Sequence, residues 1–83
     1  MLNFTKKLKA PFGYAEFFFN PIATTTLARY HVSVTDKNGK SIFFTMDLRD
    51  GVWYIINAPK VPEWIMHLQS ELSKSITENQ AIG

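Results

Sequence analysis

The sequence predicts an α+β fold: a four-stranded antiparallel β-meander with one C-terminal α-helix packed on one face, in the order β-β-β-β-α. Three observations carry this prediction. Apolar runs with strand-like alternation occupy residues 14–19, 27–34, 42–48 and 52–56. Turn-forming residues separate them. A single stripe with helical spacing follows Pro62. At 83 residues the chain has room for one small domain. Residues 1–13 read as a basic, partly ordered segment, 14–79 as the domain and 80–83 as a disordered tail.

In the first run Ala15, Phe17 and Phe19 point one way and Tyr14, Glu16 and Phe18 the other, by the period of two along a strand. Asn20-Pro21 is expected to end it, because proline cannot donate to a ladder. In the second run Ala28, Tyr30, Val32 and Val34 share a face, and Arg29, His31 and Ser33 share the opposite one. Asp36-Lys37-Asn38-Gly39-Lys40 reads as a hairpin with a type I turn closed by Gly39 in the left-handed region. Pairing Asp36 with Lys40 places Val34 opposite Ile42, Val32 opposite Phe44, Tyr30 opposite Met46 and Ala28 opposite Leu48. The same register sets Arg29 against Asp47. A slip by one residue would move every side chain to the wrong face.

The third run ends at Arg49-Asp50-Gly51. A two-residue Asp50-Gly51 loop directs Trp53 and Ile55 to the core. A three-residue loop directs Val52, Tyr54 and Ile56 there instead. The two-residue form is preferred because it buries Trp53. Pro62 suits a first helical turn, and Glu63 suits the positive end of the helix dipole. Val61, Trp64, Ile65, Leu68, Leu72 and Ile76 then form one stripe on a helix over 62–78.

Four strands make a sheet roughly 15–20 Å wide with two faces. One helix is about 10 Å across and covers much of one face at most. The uncovered face is expected around Phe43, with Phe18 from the first strand and one apolar set from the fourth. The first strand, with three consecutive phenylalanines, is also expected to be an edge, and such edges invite pairing.

No chemical signature competes with this surface. The chain has no cysteine, so thiolate metal sites and disulfides are excluded. His31 and Ser33 share a face, but a flat sheet offers no oxyanion hole. His67 lies one helical turn from Glu63 and from Glu71, which suits a solvated polar face better than a metal site. Pro59 and Pro62 form a Pro-x-x-Pro pattern that strand exit and helix start already explain. Gly13, Gly39 and Gly51 sit at turns, so no phosphate-cradling loop is expected. Trp53, Trp64 and Phe44 could line a small-ligand site, but a chain this short needs them as core.

The net charge is +2, yet Lys6, Lys7 and Lys9 fall in an acid-free start; without them six basic groups face seven acidic ones. The domain is therefore near neutral, which disfavours a broad nucleic-acid footprint. No secretory signal and no apolar run long enough to span a bilayer is visible. The expectation is a soluble cytoplasmic, non-enzymatic interaction module without cofactor or metal. It would be a homodimer or bind an unknown protein partner, with no membrane involvement. Its interaction surface would comprise Phe17, Phe18, Arg29, His31, Phe43 and Tyr54. The alternative is single-stranded nucleic-acid binding, with bases stacked on the open face and phosphates held by the N-terminal lysines. The β-β-β-β-α order is similar to one repeat of the PUR and Whirly families, a likeness of element order that implies single-strand binding.

Overall fold

The computed structural model describes residues 3–22, 28–56 and 60–82. It is a small α+β fold in which a curled antiparallel sheet holds a C-terminal helical segment in its concavity. The sheet has five strands in sequential order, not four. They are β1 (Phe4–Ala10), β2 (Gly13–Ile22), β3 (Arg29–Thr35), β4 (Ser41–Arg49) and β5 (Val52–Ile56).

The additional strand lies in the basic segment. Phe4 is half-buried and Leu8 and Ala10 are buried on one side, while Thr5, Lys7 and Lys9 face the other. Lys6 interrupts this alternation: it is exposed at a position opposite the buried Phe17. The interruption hides the period of two from sequence inspection. β1 pairs along β2 from Phe4–Phe19 to Ala10–Gly13. β2 is therefore internal, and the expected phenylalanine-rich edge does not exist. The element order also ceases to match the four-strand repeat invoked above.

β2 continues through Pro21 to Ile22, past the expected stop. Among the described residues the pairing with β1 ends at Phe19, and the described partner of Pro21 is Tyr30 of β3. A strand with one partner has an outward side on which a missing N–H costs nothing.

The central hairpin has the register read from the sequence, including Val34–Ile42, Val32–Phe44, Tyr30–Met46 and Arg29–Asp47. Its turn is closed by Asp36 N–H donating to Lys40 O at 2.9 Å and Gly39 N–H to Asp36 O at 3.1 Å. Asp36 Oδ1 also accepts from the N–H groups of Asn38 and Lys40. The β4–β5 loop is the two-residue form. Asp50 and Gly51 both have positive φ, 52° and 80°, as a type I′ turn requires. Leu48 thus pairs with Trp53 and Met46 with Ile55. Trp53 and Ile55 are buried, and Leu48 sits exposed at the rim of the covered face.

The single expected helix is two segments, α1 (Glu63–Met66) and α2 (Gln69–Ile82). The α-ladder is interrupted at Leu68, whose N–H bonds Ile65 O one residue short of the helical spacing. α2 extends to Ile82, beyond the end expected at residue 78. Of the predicted stripe, Val61, Ile65, Leu72 and Ile76 are buried and Trp64 and Leu68 are half-buried.

Curling settles how one helical segment covers five strands. α2 touches β5 at one side of the sheet and β1 at the other. Aromatic rings fill the concavity between them. Phe4 stacks on Phe19 at 4.4 Å, and Tyr30 meets Phe4, Phe19 and Trp53 edge-on. Phe17 packs against Phe44 and Trp64. Such contacts give a small core more stabilisation per residue than aliphatic packing does.

Candidate interaction surface

The convex face of the sheet is assembled by the strand register. Phe18, Ser33 and Phe43 lie side by side on β2, β3 and β4, with Thr5 completing the row on β1. The two phenylalanines are about 10 Å apart across one intervening strand. Phe43 is 74% exposed and Phe18 44%, with the small Ser33 between them. Val52 and Tyr54 are exposed and Ile56 half-exposed along β5. Ile56 pairs with Thr45, two residues along β4 from Phe43, so the β5 stripe and the phenylalanine row adjoin.

Opposite charges meet across neighbouring strands at two places on this face. Arg29 grips Asp47 with two bonds, Nε to Oδ1 at 2.6 Å and Nη2 to Oδ2 at 3.0 Å. Hydrogen bonding to Asp47 raises the already high pKa of Arg29, against a smaller opposing effect of desolvation. Asp47 is buried, and Arg29 is partly exposed. Lys7 stands directly opposite Glu16. Lys9 and Arg49 remain at opposite corners of the face. His31 is exposed between Asn20 and Thr45.

Phe18, Arg29, His31, Phe43 and Tyr54 are therefore on one face. Phe17 is not: it is wholly buried on the concave side, where the period of two places it beside Ala15 and Phe19. The lysine arm is divided, with Lys7 and Lys9 on the convex side and Lys6 on the other.

The two sheet edges differ. α2 places Gln69 and Ser73, one turn apart, against the outer backbone of β5. Trp53 N–H donates to Ser73 Oγ at 2.9 Å, and Ile55 N–H donates to Gln69 Oε1 at 2.9 Å. Gln69 Nε2 donates in turn to Trp53 O. The glutamine amide thus gives and receives hydrogen bonds as the peptide group of a sixth strand would, which closes this edge. Sequence reasoning missed this role. Its one trace is a polar i, i+4 pair bordering the apolar stripe, a pattern that also describes ordinary surface residues. The other edge, β1, carries three lysines.

Two depressions of about 250 Å3 flank the β3–β4 turn. One contains Phe12, Lys37 and Trp64, with the two rings edge-on at 5.1 Å. The other is lined by Asp36, Lys40, Ser41, Phe43 and Lys60, among others. Neither is lined by Trp53 or Phe44, which are core residues. His67 approaches Glu63 at 3.6 Å with both side chains well exposed. Among the described residues no group of three or more His, Asp or Glu side chains is placed to hold a metal ion. No helix among them is long and apolar enough to cross a membrane. No known protein family matches the chain, and no curated protein or solved structure gives a significant match.

Proposed function

We propose that the protein is a non-enzymatic interaction module that self-associates through its convex sheet face. The observation that carries this reading is the exposed apolar surface formed by Phe18, Phe43 and the β5 stripe. Apolar surface collected on one face marks an interaction site. The ion pair of Arg29 with Asp47 keeps either group from facing a second copy as a lone charge. A twofold arrangement would bury the same patch of each copy against the other.

The edges are poorer candidates. β5 is occupied by Gln69 and Ser73. Two β1 strands pairing with each other would bring six lysines into one ladder, and like charges across strands are destabilising.

Light scattering over a concentration series tests the proposal. The expected result is a monomer–dimer transition that is lost in a Phe18→Glu/Phe43→Glu variant with unchanged far-ultraviolet circular dichroism. A protein that stays monomeric at every concentration refutes self-association. An association that the double variant retains refutes this face as its site.

A further inference from the structure

We propose that the depression beside the β3–β4 turn is a binding site for a nucleoside phosphate. Lys40 enters it from the turn and Lys60 from the segment between β5 and α1. Neither lysine forms an ion pair with a described residue. Ser41 and Phe43, alternate residues of β4 on the convex side, also line it.

The acid present, Asp36, is committed to the turn: its Oδ1 accepts two backbone N–H bonds. Two unpaired ammonium groups therefore outnumber one carboxylate already engaged by donors. An oxyanion in the depression would receive charge-assisted hydrogen bonds from Lys40 and Lys60, with the Ser41 hydroxyl as a neutral donor.

Phe43 narrows the class of ligand. Its ring is 74% exposed on the wall of a cationic depression. A flat heteroaromatic base can stack on such a ring while the phosphate it carries reaches the lysines. A simple oxyanion would make no use of the ring, and a neutral aromatic would make no use of the lysines. The same chemistry could come from a free nucleotide or from one unit of a single strand.

The lysines concerned are not those of the N-terminal segment. Lys6, Lys7 and Lys9 lie on β1, which the strand order puts three strands from β4. Phe43 also belongs to the face proposed for self-association, so ligand and second copy would compete for its ring. The site itself does not depend on that association.

The test is a titration followed by the amide resonances of residues 40–43, with adenosine monophosphate, inorganic phosphate and adenosine as separate probes. It is run on the Phe18→Ser variant, which leaves the depression intact and removes part of the face proposed for self-association. Adenosine monophosphate is expected to saturate these resonances and to bind about tenfold or more tightly than either fragment. Phe43→Ala should lower its affinity to that of inorganic phosphate, a loss of about tenfold or more, within typical stacking strengths. Lys40→Ala/Lys60→Ala should abolish binding. Failure of adenosine monophosphate to bind, an affinity no greater than that of inorganic phosphate, or indifference to the lysine substitutions overturns the assignment.

A further arm with a short single-stranded oligonucleotide of mixed sequence separates the two sources. Tighter binding than the mononucleotide, with a salt slope that flattens by about 1.4 in the lysine variant, identifies a single strand. Equal affinity identifies the free nucleotide. Light scattering on the unmodified chain reports on self-association separately, so failure of one reading does not disguise failure of the other.

Discussion

Replacing Tyr30 with phenylalanine should stabilise the protein. The ring is wholly buried, with Trp53 edge-on at 5.2 Å and Phe4 at 5.9 Å. Its hydroxyl has no hydrogen-bond partner among the described residues. A buried hydroxyl left unpaired costs about 1–3 kcal/mol on mutational scales. Tyr30→Phe removes that cost and keeps the ring contacts. The space vacated is about one oxygen atom, which forfeits part of the gain through lost dispersion. The net expectation is about 1 kcal/mol of added stability, a rise in Tm of roughly 4–8 °C for a domain of this size.

The same residue makes the difference depend on pH. Burial raises the Tyr30 pKa above its ordinary value of 10.0. Below pH 10 the phenol is neutral in both folded and unfolded chains. As pH rises from 10 through the higher folded value, the unfolded chain releases its proton first, and wild-type stability falls. Phenylalanine has no such proton, so the advantage of the variant should widen above pH 10. Thermal melts followed by circular dichroism, at neutral and alkaline pH, measure both effects. A lower Tm for Tyr30→Phe at neutral pH would mean that the hydroxyl has a partner, and would refute the reasoning. An advantage that stays constant into alkaline solution would refute the pH argument.

Further outcomes follow from the same structure. Ser73→Ala leaves the buried Trp53 N–H unpaired and should lower stability by about 1–3 kcal/mol in urea titration. Gln69→Ala frees two backbone groups of β5. It should cost a similar amount and, unlike Ser73→Ala, raise thioflavin-binding aggregation by opening a longer stretch of edge. Gly51→Ala places a Cβ at φ 80° and should cost about 1–2 kcal/mol by differential melting, although nothing lies close to the added carbon. Arg29→Met leaves the carboxylate of Asp47 buried without its guanidinium and should lower Tm.

The residues explain which parts of this architecture were legible in advance. The central hairpin was, because its turn chemistry and eight alternating apolar side chains admit one register, which also pairs Arg29 with Asp47. The β4–β5 loop was legible as a choice of two, decided by burial of Trp53. β1 was hidden because Lys6 occupies a position that the alternation reserves for an apolar side chain. The roles of Gln69 and Ser73 were hidden for another reason. A side chain that completes a neighbouring strand's hydrogen bonds is chosen by distance in the folded state, and local sequence carries no mark of it. That Phe18, Arg29, His31, Phe43 and Tyr54 share one sheet face was legible because strand periodicity fixes faces. Phe17 was misplaced in that set by the false expectation of an edge. Lys40 and Lys60, 20 residues apart and both at element boundaries, converge only in three dimensions.

The contact of α2 with both β5 and β1 has a consequence for synthesis. Each hairpin closes a short loop between neighbours in sequence, so the sheet can form progressively as the chain emerges. The concave face cannot be completed in that way. Phe17, Phe19, Tyr30, Phe44 and Trp53 lie on it, and Leu72 and Ile76, which close it, follow all five strands in the chain. Until α2 docks, a newly made chain therefore displays its most apolar surface and its unguarded β5 backbone together. That interval is when this protein should most need a chaperone.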